Sequence, residues 1–321
     1  MKNILFRADS SSIIGTGHIM RDLVLAEQYK DANIIFATQN LAGNINHKIK
    51  EKNYTIKILK TNDINELIDI IKKNSIGMII IDHYNINYEF ERTLKKFVTK
   101  LKIFVIDDTY EKHYCDTLLN HNINANFKQY RGLVPENCEI KCGVKYILLR
   151  DEFKKIKKAK RDISLKDKIT VFIAMGGSDH SNKNISILEV INKFNNIEVN
   201  IVTTKSNKYL QELENYIEKQ KNITIYLDTD KIALLMNKSD FAIVTPSVVV
   251  NEVLFMKLPF IAIQTAENQH EIAQYLKQHN LPILYSYEEN TLFCEIKKLI
   301  NIEQYNNLVI NIDSLFKENK D

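Results

Sequence analysis

A histidine preceded by two closely spaced glycines, in Gly15-Thr16-Gly17-His18, stands where a strand hands over to a helix. Lys2 to Ala8 reads as the strand, Asp9 to Gly17 as a loop of small residues and Ile19 to Lys30 as the helix, which puts His18 on the first helical turn. Unpaired backbone N–H groups and the positive end of the helix dipole disfavour a second positive charge there, so the imidazole is expected to be neutral, as a base must be. A capping or packing role would suffice for an isolated histidine. The glycines favour chemistry because they let a ligand approach the backbone closely.

Glycine is scarce in this chain: 8 residues, where average usage would give about 22. Four of the eight fall in two loops, Gly15/Gly17 and Gly176/Gly177. The second pair lies in Met175-Gly176-Gly177-Ser178-Asp179, between a strand and a helix starting near Asn182. That is a phosphate-binding arrangement, with close backbone approach, N–H donors at the helix start and the Ser178 hydroxyl. Ser247 opens another helix directly after a strand, and Glu252 on its second turn could take the two hydroxyls of a ribose, though alone it reads as a solvated helix residue. Asn268-Gln269 offers amides that both donate and accept. Asp82-His83-Tyr84 ends a strand on the same side as His18, and Asp9 or Asp82 could orient the imidazole. Asp107-Asp108 ends the next strand and could do acid/base work at a glycosidic bond, with helix capping the plainer role for at least one. His47, His113, His121 and His279 read as surface or packing residues, while His180 and His270 stand near the supposed nucleotide loops.

Positioning these residues takes two domains, which 321 residues allow at about 150 residues each. Strands are expected at 3–7, 33–37, 55–59, 78–82 and 103–107, with shorter ones at 117–120 and 146–149; helices are expected at 19–31, 44–52, 63–73 and 87–100. A second series has strands at 169–174, 198–202, 223–226, 241–244 and 260–263, helices at 182–194, 206–219, 229–237, 247–256 and 268–279, and a last helix near 303–318 covering a domain edge. Strand–helix alternation implies parallel sheets, hence an α/β protein of two doubly wound Rossmann-like domains, 1–160 on the catalytic side and 161–321 for the nucleotide, facing each other across a cleft. The charged stretch 151–168 reads as a helix and an interdomain linker.

Several functions are disfavoured. The position three beyond Gly17 is Met20 and the second strand ends in Thr38-Gln39-Asn40, so the dinucleotide fingerprint is incomplete; a P-loop is absent too. The net charge of +4 is modest and the basic run Lys154 to Arg161 suits a solvated helix end better than nucleic acid. Cys138 and Cys142 lack the second pair of a zinc set, and the four cysteines suit reduced thiols of the cytoplasm. Neither a membrane span nor a signal peptide is expected. No cofactor or metal is expected, and without a long heptad pattern the chain reads as a monomer.

Taken in order, Phe6 to Asp22, Ile81-Asp82-His83-Tyr84, Gly132 to Pro135, Leu149-Arg150-Asp151-Glu152-Phe153, Met175 to Gly177, Val250-Asn251-Glu252 and Asn268-Gln269 closely resemble the signature of the UDP-sugar hydrolases of pseudaminic acid biosynthesis, the PseG family. The resemblance spans nearly the whole chain. It implies a fold similar to GT-B glycosyltransferases such as MurG, and metal-independent displacement of UDP from UDP-2,4-diacetamido-2,4,6-trideoxy-β-L-altropyranose by water, with inversion. It further implies His18 as base and Tyr84 in the sugar site, Glu252 at the ribose, and Gly177 with Ser178 at the pyrophosphate. Asp9, Gly15, Gly17, Arg21, Gly176, Ser247, Asn268 and Gln269 complete the expected substrate-binding set. His270 departs from the pattern, since an acid is expected after the Asn-Gln pair. A GT-B glycosyltransferase would share the nucleotide loops and differ only in what attacks the sugar, and a non-catalytic nucleotide-sugar sensor would bind without turnover.

Overall fold

The computed structural model of the chain describes residues 2–164, 166–177 and 179–318. It forms two compact units, Met1–Leu148 and Leu149–Asp321.

In the first unit, strand and helix alternate as β1 (Lys2–Ala8), α1 (Gly17–Ala26), β2 (Ala32–Gln39), α2 (Asn46–Glu51), β3 (Thr55–Leu59), α3 (Ile64–Lys73), β4 (Ile76–Asp82), α4 (Tyr88–Phe97) and β5 (Lys102–Ile106), followed by β6 (Thr117–Asn120) and β7 (Glu139–Cys142). The sheet order is β3-β2-β1-β4-β5-β6-β7, all parallel among the described residues. The chain turns back on itself between β1 and β4, and open parallel sheets bind ligands at such a switch point, beyond the strands' carboxyl ends. The pairing of Ala8 with Asp82 brings the end of β4 beside the loop that leads to His18.

Both faces of this sheet are covered, as the apolar runs require. Along β1 the alternation sends Ile4, Phe6 and Ala8 into one core, with Ile19, Leu23 and Phe36, and sends Leu5 into the opposite core, with Leu67, Ile71 and Leu94. The strand expected at 146–149 does not form; β7 takes the edge instead, and Gly143 (φ +84°) turns the chain out of it. Gly43 (φ +73°) has a separate reason to be glycine, because a Cβ there would lie 2.9 Å from the backbone N of Ser12. The loop after β1 packs against that notch, with Ser12 N donating to Ala42 O at 2.9 Å and Ile45 N donating to Ser10 Oγ at 3.0 Å.

The second unit begins with α5 (Asp151–Lys155) and continues through β8 (Ile169–Ala174), α6 (Asn184–Ile191), β9 (Ile197–Thr203), α7 (Leu210–Ile217), β10 (Ile223–Leu227), α8 (Ile232–Lys238), β11 (Phe241–Val244), α9 (Val248–Phe255), β12 (Phe260–Ile263), α10 (His270–Gln278), β13 (Ile283–Leu284), α11 (Glu289–Leu299) and α12 (Ile302–Glu318). Its parallel sheet has the order β10-β9-β8-β11-β12-β13, with the switch point between β8 and β11. The sequence reading did not anticipate β13 or α11. The helix is capped by Glu288, whose carboxylate accepts from Asn290 N and Thr291 N, and glutamate is not among the residues that signal an N-cap. The last helix, α12, closes this unit by burying Tyr305, Leu308 and Ile312, with Tyr305 Oη donating to Asp240 O at 2.9 Å.

The boundary at 148/149 falls twelve residues before the expected one, because the supposed linker is packed onto the second unit. Arg161 donates to the carbonyls of Asn237, Ser239 and Met256, Ala159 N donates to Asn237, and Lys158 lies over the Phe255 ring. Arg161 thus ties the end of the basic run to the second unit, while Lys154, Lys155, Lys157 and Lys160 are exposed, as a solvated face requires.

In the first unit a buried network ties α4 to the loop after β5. His113 Nδ1 lies 2.7 Å from Glu91 Oε1 and its Nε2 3.7 Å from Asp107 Oδ1. Burial opposes the charged imidazole, but the two carboxylates outweigh it and push the His113 pKa up from 6.5 to about 9. A pKa raised on folding stabilises fully below 6.5 and loses that contribution as the pH climbs through about 9. The stability advantage of wild type over His113→Gln should accordingly shrink by about 3 kcal/mol over that window. Urea denaturation between pH 6 and 10 reads it, and a constant difference would refute the assignment.

Candidate active site

Beyond the carboxyl ends of β1, β4 and β5, two side chains of α1, two from the end of β4 and one from the end of β5 meet in a closed circuit. His18 is the second residue of α1, and Thr16 at the cap position makes no side-chain bond to the first turn. His18 Nδ1 lies 2.7 Å from Asp82 Oδ1, on the last residue of β4. One helical turn on, Arg21 aims its fork at the same carboxylate, with Nε 2.6 Å from Oδ2 and Nη2 2.5 Å from Oδ1. Its third nitrogen, Nη1, donates to Asp108 Oδ2 at 2.8 Å. Tyr84 Oη donates to the other oxygen of Asp108 at 3.1 Å, and its ring meets the His18 ring edge to face with centroids 4.9 Å apart.

The electrostatics of the circuit fix its protons. Burial works to raise the Asp82 pKa, but the charge of Arg21 and the hydrogen bonds from Arg21 and His18 hold the carboxyl well below its ordinary range. An ionised Asp82 can only accept, so Nδ1 carries a proton, and in the uncharged form of the ring the lone pair is on Nε2. Nε2 has no hydrogen-bond partner among the described residues. Burial and then Asp108 push the Tyr84 phenol up, which keeps it a donor. Two further buried groups are shifted towards their uncharged forms. Burial and then the charge of Arg21 bring His121 down to about 4. Burial and then the charge of Asp82 raise the Asp22 carboxyl well above its ordinary value. Neither Asp22 oxygen has a hydrogen-bond partner among the described residues.

Of the expected contacts in this unit, Gly15 adopts φ +86° and Gly17 has open space where a Cβ would stand. Tyr84 is 54% exposed. Arg21 is buried and spends its donors on Asp82 and Asp108, so it holds the site together rather than offering a free fork. Asp9 is 2% exposed, and its oxygens accept from Arg7, Thr38 Oγ1 and Gln39 N, with His83 Nε2 at 3.1 Å. That leaves Asp82, not Asp9, to orient the imidazole. The pair Asp107-Asp108 is divided: Asp107 accepts from Thr109, Tyr110 N and Tyr130 Oη, while Asp108 faces Arg21. A cavity of about 280 Å³ opens beside Tyr84, with Ile81, Ile86, Asn87, Thr109 and Lys112 among its walls.

In the second unit, Gly176 follows β8 with φ +86°. The Gly177 carbonyl accepts from Thr204 N, Thr203 Oγ1 and Thr204 Oγ1, so two threonines at the end of β9, unmarked by any motif, set the conformation of this loop. Ser178 lies outside the described residues. Asp179 (φ +38°) caps the start of α6, accepting from Lys183 N and Asn184 N, so those two N–H groups are taken by a side chain. Ser247 stands at the N-terminus of α9 with its Oγ 3.0 Å from Thr245 Oγ1. Glu252, far from solvated, is buried, and Arg150 donates to its Oε1 from Nε (3.1 Å) and Nη2 (2.8 Å). Asn268 is exposed, and Gln269 folds back to accept from Thr265 N at 2.8 Å. His270 lies 2.8 Å from Gln274 Nε2, one turn along α10. Among the described residues, no group of three His, Cys, Asp or Glu side chains is placed to hold a metal ion, and no helix is long and apolar enough to cross a membrane.

Two units of this construction define the GT-B class. The fold matches MurG of Acinetobacter baumannii with a TM-score of 0.62 at 12% identity, over 97% of this chain and 94% of that one. It matches a UDP-glucosyltransferase of Polygonum tinctorium with a TM-score of 0.67 at 10% identity, over 99% and 93%. No protein-family model matches the chain. The UDP-2,4-diacetamido-2,4,6-trideoxy-β-L-altropyranose hydrolase of Campylobacter jejuni is 40% identical over 284 residues, 88% of this chain and 99% of the relative. The chain belongs to that hydrolase's family.

Proposed function

We propose that the protein hydrolyses UDP-2,4-diacetamido-2,4,6-trideoxy-β-L-altropyranose, the compound named for its Campylobacter relative, as a cytoplasmic monomer in pseudaminic acid biosynthesis. The observation that carries the mechanism is the Asp82–His18 pair, which directs an imidazole lone pair away from the scaffold. Water attacks the anomeric carbon and gives its proton to His18 Nε2. The bond from that carbon to the diphosphate oxygen breaks with its electron pair on UDP. One displacement inverts the anomeric centre.

Under this proposal the second unit binds the nucleotide through Gly176, Gly177, Ser178, Ser247, Glu252, Asn268 and Gln269. Fixed N–H dipoles meet the charge growing on the diphosphate, so no general acid and no metal ion are needed. Gly15, Gly17 and Tyr84 line the sugar side, and the apolar Ile81 and Ile86 in the cavity beside Tyr84 suit the methyl of an acetamido group. Asp9 and Arg21 support this side from behind.

A GT-B transferase would differ in its nucleophile. Proton NMR of the protein with this UDP-sugar and no acceptor should show free sugar appearing first as the inverted anomer, together with UDP. Intact substrate after prolonged incubation would overturn the proposal.

A further inference from the structure

We propose that Arg150 is a positioning residue for nucleotide recognition: it grips one carboxylate oxygen of Glu252 and so presents the other to the ribose. This rests on the reading that Glu252 binds the ribose. The segment Leu149-Arg150-Asp151-Glu152-Phe153 resembles the family signature, yet the mechanism above gives it no task.

The geometry supplies one. Arg150 puts two donors, Nε and Nη2, on the single atom Oε1 of Glu252, whereas a guanidinium that meets a carboxylate fork to fork uses both oxygens. Oε2 is left without a hydrogen bond among the described residues. A vicinal diol recognised by a carboxylate needs a fixed acceptor with spare lone pairs, which this grip provides.

The guanidinium is itself held. Its Cζ lies 5.1 Å from the centroid of the buried Phe153 ring, and Nη1 pairs with Glu152 Oε1 at 3.0 Å. Glu152 in turn accepts from Ala233 N at 3.1 Å, at the start of α8. Each of Arg150, Glu152 and Phe153 thus has a part in aiming one carboxylate. The arrangement also bears on charge: burial raises the Glu252 pKa, Arg150 opposes that rise, and Glu152 adds to it. Without the guanidinium, a buried Glu252 would be more readily protonated and a poorer acceptor.

The test compares UDP with 2′-deoxy-UDP by calorimetric titration of the full-length protein. Wild type should prefer UDP by about 10-fold or more, the range for a hydrogen bond to a charged group. Glu252→Gln should lose most of that preference. Arg150→Gln should bring it to about 3-fold or less, and Arg150→Lys, which keeps the charge but not the fork, should fall between. An Arg150→Gln protein that binds both ligands more weakly but keeps the wild-type ratio would show a merely structural role and overturn the inference. Should that variant fail to fold, an unchanged ratio in Arg150→Lys overturns it equally. If wild type shows no preference, or Glu252→Gln keeps it, the ribose reading of Glu252 falls, and this inference with it.

Discussion

His18→Asn should lower the turnover of the UDP-sugar by about 10²- to 10⁴-fold, the contribution expected of a positioned general base, and leave the affinity for UDP within about 3-fold. Asparagine is the informative replacement because its amide N–H can still reach Asp82, so the Asp82–Arg21–Asp108 network keeps its partners. What it lacks is a lone pair of useful basicity. Steady-state rates with the UDP-sugar, set beside calorimetric binding of UDP, separate the two effects. Equal losses in both would mean that His18 binds rather than catalyses.

Asp82→Asn should cost about 10³- to 10⁴-fold in rate through a change of tautomer, as in other histidine–carboxylate pairs. Arg21 presents two N–H groups to this side chain and will claim the amide oxygen, which turns the amide nitrogen towards His18. That nitrogen can only donate, so Nδ1 must become the acceptor and the ring proton moves to Nε2. The nitrogen meant to receive a proton then already carries one. Nitrogen-15 NMR of labelled histidine should show the exchange, and the double variant His18→Asn/Asp82→Asn should be no slower than His18→Asn alone. Additive losses would mean that Asp82 acts independently of the imidazole. Some loss of stability is expected wherever Asp82→Asn is introduced, because Arg21 is buried and gives up part of an ion pair.

The sequence made the strand–loop–helix around His18 legible because two signals agree there: glycine in a chain poor in it, and a change of apolar period from two to three or four. It could not choose between Asp9 and Asp82, since the choice depends on the parallel pairing of β1 with β4 and on which acid Arg7 neutralises. Arg21 was legible as important but not in its task, because both of its partners lie more than 60 residues away. Asp108 stood out as half of a paired acid at a strand end, but its tie to Arg21 and Tyr84 did not, and His121 carries no local motif; both join the site only when β5 and β6 join the sheet. Glu252 looked solvated because helical spacing does not reveal that Arg150, 102 positions earlier, covers it. The unit boundary falls earlier than expected for a related reason: at the end of the charged run Lys154 to Arg161, the Arg161 guanidinium meets carbonyls at the ends of α8 and α9.

The closed circuit around His18 has an unbalanced ledger of charge. Asp82 and Asp108 face one guanidinium, Arg21, and burial favours the uncharged forms of the neighbouring Asp22 and His121, so two carboxylates share one guanidinium when the imidazole is uncharged. Under the proposed mechanism the imidazolium formed on attack would supply the missing positive charge beside Asp82, so the scaffold would be matched in advance to the proton the ring receives.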